Sequence, residues 1–277
     1  MTTTAADVEI IIVNFNTRPE LEACLSSLDA APPACAARIV VVDNASGDGS
    51  VAAVRSQWPT VDVIALDRNI GFGAANNVAL RQCQFRYAVL LNSDTQVRAG
   101  AIDRLRERMI ARGAVAAGPR LVDGRGRPEV SFGRMLSPLG EAVQRWRLRV
   151  AEQPKHWASG YLRRYLGKER FVDWASGACL LLDVGAASAA GFFDERYFMY
   201  EEDVDLCAAL RRAGGRILFT PEPEVTHLGG RSVRPVTSTT AGNSHYDRSH
   251  VAFYEKHAPH WAAWLRLWLR LRGRPLQ

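Results

Sequence analysis

The chain has 277 residues and a formal net charge of +6. That length can bury a substantial core in one large domain or two small ones, and the ordinary apolar content excludes wholesale disorder. The five cysteines, Cys24, Cys35, Cys83, Cys179 and Cys207, form no CxxC pair, which argues against a disulfide framework or zinc knuckle and for a reducing compartment. The opening MTTTAADVEI carries no basic leader, and no run reaches the about 18 apolar residues of a membrane span, so neither signal nor transmembrane helix is expected.

The first third alternates regularly. Val8 to Val13 is a β-branched strand broken by Asn14-Phe15-Asn16-Thr17. Pro19 to Leu28 follows with Leu21, Cys24, Leu25 and Leu28 on one helical face. Arg38 to Val42 is a strand, Ser50 to Trp58 a helix, Val61 to Leu66 a strand and Ala74 to Cys83 a helix. Tyr87 to Leu91 is the fourth strand and Ala101 to Arg112 the next helix. Strands this continuously apolar, alternating with helices, predict a mostly parallel sheet covered on both faces. Ligands of such sheets bind beyond the carboxyl ends of the strands. Each strand here ends in small polar residues: Asn14 and Asn16, Asp43 and Asn44, Asp67 and Asn69, Asn92 and Asp94.

Between Arg120 and Arg170 the pattern blurs, and arginines crowd a segment with few acids. Order returns in FVDWASGACLLLD, Phe171 to Asp183, a strand interrupted at Ala175-Ser176-Gly177. Residues 202 to 213 read as a helix stopped by Gly214-Gly215, and Arg216 to Phe219 as a short strand. The economical division is one domain over 1–235, with halves meeting near 118/119, and a helical appendage over 236–277.

Three constellations carry chemistry. Asp94 in NSDT can reach a divalent cation, Mg²⁺ or Mn²⁺, at the mouth of the sheet; a turn or helix cap is the plainer alternative for the same residues. In YFMYEEDVDL, Glu201, Glu202 and Asp203 open a helix beside Phe192, Phe193, Tyr197, Phe198, Met199 and Tyr200. Acids favour a helix N-terminus in any case, but an acid held against aromatic rings is desolvated and becomes a usable general base. His227 follows a short strand and precedes Gly229-Gly230-Arg231-Ser232, a stretch able to wrap a diphosphate. Gly71-Phe72-Gly73-Ala74-Ala75-Asn76 is not a dinucleotide fingerprint, because Asn76 replaces the third glycine and the motif follows the third strand. Its glycines let the backbone pass close to a ligand. At the far end, Trp261, Trp264, Leu265, Trp268 and Leu271 share one helical face with Arg266 and Arg270 opposite, which suits a bilayer interface or packing on protein.

Taken in order, VEIIIVNFNTRPELEACLSSL, VVVDNASGDGS, ALDRNIGFGAANNVAL, LLNSDT, WASGACLLLD, GFFDERYFMYEEDVDL and VTHLGG resemble glycosyltransferase family 2, in particular its rhamnosyltransferase-like branch, over roughly residues 8 to 232. The resemblance implies a GT-A fold and an inverting enzyme. It implies donor contacts from Asn14, Asn16, Asp43, Asn69, Gly71, Asn76, Asn92, Ser93 and Asp94. It makes Asp94 and His227 the metal ligands and Asp203 the catalytic base, and it puts Trp174, Gly177 and Glu202 on the acceptor side. One departure stands out: Asn92 occupies the place of the first Asp of the family's DxD motif, a substitution familiar in this branch.

The expected activity is therefore transfer of a sugar, rhamnose from dTDP-rhamnose, to a glycan or polyprenyl-diphosphate-linked acceptor in cell-surface polysaccharide synthesis, on the cytoplasmic side and at the inner face of the membrane. A UDP-hexose donor is the alternative within the fold. A nucleotidyltransferase would need a basic, Gly-rich phosphate loop that NFNTRPE lacks. A membrane-surface or nucleic-acid binding module would leave the polar strand ends and the acidic cluster without a purpose, so no nucleic-acid partner is expected. The C-terminal helix is expected to meet either a membrane or protein, a second copy of the chain included.

Overall fold

The computed structural model describes residues 8–35, 37–153, 156–229, 240–271 and 274. The chain begins with β1 (Val8–Asn14), α1 (Arg18–Ala30), β2 (Ala37–Asp43), α2 (Ser50–Gln57), β3 (Asp62–Ala65), α3 (Phe72–Leu80) and β4 (Tyr87–Asn92). It continues through β5 (Thr95–Val97), α4 (Ala101–Ala111), β6 (Ala116–Val122), β7 (Phe132–Gly133), α5 (Pro138–Glu152) and α6 (Ser159–Leu166). Then come β8 (Arg170–Val172), β9 (Trp174–Ala175), β10 (Cys179–Asp183), α7 (Val184–Ala189), α8 (Glu202–Arg212), β11 (Ile217–His227), α9 (Thr240–His257) and α10 (Pro259–Leu271).

The main sheet runs β3-β2-β1-β4-β10-β6-β11-β5, with β8 added on β11. Its first four strands are parallel, as their apolar runs predict. β1 is buried along its whole length because helices cover both faces. Ile10 and Ile12 pack with Leu21, Leu25 and Leu28 of α1. Ile11 and Val13 face the other way, into a core shared with Ala75, Ala79, Leu206 and Leu210 of α3 and α8. The other half is mixed: β10 is antiparallel to both β4 and β6, and β11 is parallel to β6 but antiparallel to β5 and β8.

The strand register brings the polar ends into line. Asn14 pairs with Asp43 and Val13 with Asn92. Chain order reverses at β1, with β2 on one side and β4 on the other, which is the crevice where open α/β sheets bind ligands.

Three stretches differ from the pattern reading. FVDWASGACLLLD makes three strands rather than one, on three different partners: β8 on β11, β9 on β7, and β10 in the sheet centre. The strand read as Arg216–Phe219 extends to His227. Pro221 and Pro223 cannot donate to a ladder, and the chain passes them in a register shift between Thr220 and Glu224 before pairing again. The blurred segment has its own small core, where Phe132 stacks on Phe219 at 3.9 Å and on Tyr165 at 5.2 Å. Arg147 and Arg170 lie over the Tyr165 ring at 4.0 and 4.2 Å, so part of the basic crowding serves packing rather than a surface.

Gly71 opens α3 at φ +91°, and the close approach its lack of a side chain permits is to the chain's own backbone. A Cβ there would sit 2.4 Å from the carbonyl oxygen of Phe198, which accepts the Phe72 N–H at 2.9 Å. Gly71→Ala should lose about 2 kcal/mol or more from strain and overlap, read as a lowered urea midpoint at unchanged slope.

Candidate active site

Along the strand ends, polar side chains lock one another. Asn14 is fully buried; its Nδ2 donates to Asp43 Oδ1 at 2.9 Å and to Ser46 Oγ at 3.1 Å. Its Oδ1 accepts from Thr17, whose hydroxyl also meets Ser93 Oγ at 2.8 Å. Asn44 donates to Asn69 Oδ1 at 2.8 Å and accepts from the Ile70 N–H at 2.9 Å. These bonds shape one wall of a cleft of about 1470 Å³.

Eleven of the residues to which the family resemblance gives a role line that cleft: Asn16, Asn69, Gly71, Asn92, Ser93, Asp94, Trp174, Gly177, Glu202, Asp203 and His227. Asn14, Asp43 and Asn76 do not; they are buried beneath it, and Asn76 donates back to the Phe72 carbonyl at 3.0 Å. Of the glycine-rich stretch after His227, only Gly229 falls within the described residues.

His227 reaches Asp94 because β11 returns antiparallel to β5, setting His227 against Thr95. Its Nε2 lies 3.3 Å from Asp94 Oδ1, and its Nδ1 3.0 Å from Glu129 Oε2. Burial would lower the pKa of this imidazole. Hydrogen bonds to the two carboxylates, with their charges, outweigh that and raise it to about 10. Asn92 Oδ1 is buried without a hydrogen-bond partner beside this pair. Among the described residues no three His, Cys, Asp or Glu side chains group as metal ligands, so any cation site here would use Asp94, His227 and the neutral oxygen of Asn92.

The opposing acids stand on a strained turn. Tyr200 and Glu201 both have left-handed backbones, φ 71° and 64°, at a cost of order 1–3 kcal/mol each. α8 starts immediately after. Asp203 accepts the Gly177 N–H on Oδ2 and its neighbour Val204 N–H on Oδ1, each at 2.8 Å. Burial pushes its carboxyl up to about 6. Glu202 is more deeply enclosed, with one oxygen lacking a partner; burial and the adjacent Asp203 raise it well above the ordinary carboxylate range. The two acids therefore differ in setting: two backbone donors hold Asp203, while one Glu202 oxygen has no partner.

α9 holds this turn in place. Ser249 Oγ donates to the Met199 carbonyl at 2.7 Å, and His250 Nδ1 meets Glu201 Oε1 at 2.8 Å. His250 Nε2 lies 3.3 Å from Glu141 of α5, which also accepts from the Tyr254 hydroxyl. Further along α9, Lys256 bonds Asp194 and Asp205 at 2.7 and 2.8 Å, and His257 meets Asp205 at 2.6 Å. Sequence reasoning missed Glu129, Glu141 and His250. They sit in no local motif and lie in the two regions where periodicity was weakest.

Burial would depress His250, but its hydrogen bonds to Glu141 and Glu201, with their charges, prevail and raise it to about 9 from an ordinary 6.5. A histidine raised on folding stabilises fully below pH 6.5, and that contribution fades as pH climbs through about 9. His250→Gln should therefore lose about 3–5 kcal/mol by urea denaturation at pH 6, the cost of leaving a buried acid without its cation. The gap to the wild type should narrow toward pH 9.

The model of the family described as "Glycosyl transferase family 2" matches residues 9–168. The N-acetylglucosaminyl-diphospho-decaprenol L-rhamnosyltransferase of Mycobacterium tuberculosis is 31% identical, over 94% of this chain and 88% of its own. The fold is similar to mannosyltransferase PcManGT from Pyrobaculum calidifontis, solved with GDP-Man and Mn²⁺, at TM-score 0.60 and 17% identity over 90% of this chain and 63% of that one. It is also similar to GalNAc-T7 with UDP, GalNAc and Mn²⁺, at TM-score 0.61 and 14% identity over 88% of this chain and 48% of that one. With the polar strand ends, the Asp94–His227 pair and the acidic turn assembled around one cleft of a GT-A fold, the chain belongs to glycosyltransferase family 2, among its rhamnosyltransferase-like members.

Proposed function

We propose that this protein is an inverting rhamnosyltransferase, moving rhamnose from dTDP-rhamnose to a hydroxyl of a polyprenyl-diphosphate-linked glycan at the inner face of the membrane. One observation carries the reading: a single cleft holds the Asp94–His227 pair, the Asp203 carboxylate and the apolar face of α10. The mycobacterial relative, named for rhamnosyl transfer to a lipid diphosphate acceptor, supports the choice of sugar and acceptor. In this reading residues 1–235 are the catalytic domain and 236–277 the helical segment on its acceptor side.

The donor diphosphate would lie against Asn92, Ser93 and Asp94, with Asn16, Asn69 and Gly71 along the nucleotide sugar. Asn14 and Asp43, bonded to each other beneath, and Asn76 in α3 fix the wall that the nucleotide meets. Asp94, the unpartnered Asn92 oxygen and His227, once its Nε2 gives up the proton it shares with Asp94, fit a divalent cation, Mg²⁺ or Mn²⁺. Such a cation supplies charge stabilisation to the departing diphosphate.

Asp203 does the proton chemistry. Its two backbone donors orient the carboxylate without moving it into water. It accepts the acceptor's hydroxyl proton as that oxygen bonds to the anomeric carbon and the bond to the diphosphate breaks. One displacement from the far face inverts the configuration. Glu202 beside it, Gly177 and Trp174 line the place of the acceptor sugar.

Asp203→Asn should reduce kcat by about 10²–10⁴-fold while leaving nucleotide affinity unchanged. Retained turnover would sink the assignment of the base. Because only the ionised carboxylate accepts a proton, wild-type kcat should fall as pH drops through about 6. Calorimetric titration of dTDP, UDP and GDP, with and without Mn²⁺, reads the donor. The expected result is Mn²⁺-dependent binding of dTDP that Asp94→Ala abolishes; a preference for UDP would establish a UDP-hexose donor instead.

A further inference from the structure

The cleft is larger than its head-group chemistry requires. Pockets for small ligands usually enclose about 300–1,000 Å³, and this one reaches about 1470 Å³. The surplus is bounded by helices rather than by strand ends. On α5 the lining residues include Glu141, Arg145 and Leu148, one helical stripe, with Pro138 and Gln144 beside it. On α10 they include Trp261, Trp264 and Trp268, again at helical spacing.

Contacts give the α5 stripe a direction. Asp203 is two residues from Glu201, Glu201 meets His250, and His250 meets Glu141. One turn on, Arg145 pairs with Glu141 at 3.0 Å and keeps its guanidinium largely in solvent, 59% exposed. One turn further comes Leu148, 44% exposed. From Glu141 to Leu148 the helix rises roughly 10 Å, passing from buried acid to cation to open hydrocarbon. Trp264 of α10, 66% exposed, is an apolar surface that a soluble sugar would leave wet. A ligand matching this order has a sugar at the base, an anion near Arg145 and a hydrocarbon chain beyond.

We infer that the channel lined by α5 and α10 binds the first part of the acceptor's prenyl chain, with Arg145 on its diphosphate. The inference rests on the acceptor class proposed above. Apolar side chains at Leu148, Trp261, Trp264 and Trp268 remove the chain from water, which favours long-chain over short-chain acceptors at equal head group. Arg145 has donors beyond those used on Glu141, and a guanidinium suits paired phosphate oxygens. The three tryptophans are thus part of the substrate site, where the alternatives are insertion into a bilayer or burial against a second copy.

The experiment compares two acceptors with the same sugar-diphosphate head, one polyprenyl and one cut to a short chain, in detergent solution without a bilayer. Leu148→Glu and Trp264→Glu should each raise KM for the long-chain acceptor by about tenfold or more. KM for the short-chain acceptor and calorimetric dTDP affinity should hold within about twofold. Arg145→Gln should raise KM for both acceptors alike and spare dTDP affinity. Equal effects of the glutamate variants on both acceptors, or none on either, would overturn the channel. So would variants that behave as wild type here but lose binding to phosphatidylglycerol vesicles, or that turn a dimer into a monomer by sedimentation. Failure of the proposed function would instead show in the wild type, as no transfer to either acceptor.

Discussion

The geometry of the site depends on a buried cation between a buried acid and a partly buried one. His250 of α9 sits between Glu141 of α5 and Glu201 of the strained turn, so three segments far apart in sequence meet at one imidazole. Taking three charged groups out of water is expensive, and an apolar trio of the same shape could serve stability as well or better. What the charges provide is position. Two consecutive left-handed residues persist only where their surroundings overdetermine them. Here the Met199 carbonyl is held by Ser249, the Glu201 carboxylate by His250, and the next turn of α8 by Lys256 and His257 through Asp205. α8 then begins at a fixed point, and Asp203 faces the cleft rather than solvent.

The opposite wall uses the sheet in the same spirit. Parallel pairing aligns Asn14, Asp43 and Asn92 at one edge, which is what a doubly covered sheet does by default. The step that default does not supply is the return of β11. A strand parallel to β6 cannot end beside Asp94 unless it bends. The register shift around Pro221 and Pro223 lets it leave β6, rejoin, and run antiparallel to β5, with the Leu228 N–H bonded to the Asp94 carbonyl at 2.8 Å. Residues that would disrupt an ordinary central strand thus deliver His227 to its carboxylate.

Much of this was legible in the sequence, for reasons that also mark the limit. The four parallel strands and their helices could be read because each buries a full face, and burial writes itself as an uninterrupted or 3.6-period apolar pattern. Asp94, Asp203 and His227 could be picked out because each sits where such a pattern breaks. β8, β9 and β10 were read as one strand because local alternation cannot tell which partner a strand takes. β11 was cut short because proline is a stop in most sheets and a bulge in this one. Glu141 and His250 were not singled out at all. Each lies on a helix whose pattern describes packing, and nothing within ten residues of either announces an ion pair that exists only after folding.

The same tertiary construction sets the chemistry of the two neighbouring acids. Glu202 and Asp203 are adjacent in the chain, yet only Asp203 receives the Gly177 N–H; a Cβ on Gly177 would lie 3.4 Å from Asp203 Cβ and 3.3 Å from the Phe72 ring. Hydrogen bonds from Gly177 and Val204 pull against burial at Asp203, which is still raised to about 6, whereas one Glu202 oxygen has no partner and the neighbouring charges add to its burial. His250 takes part at one remove. Glu201 is a charge that raises Asp203, and His250 fixes where that charge sits. The helix that positions the turn therefore also fixes a charge that Asp203 feels, and both effects come from residues more than forty positions downstream of the turn they control.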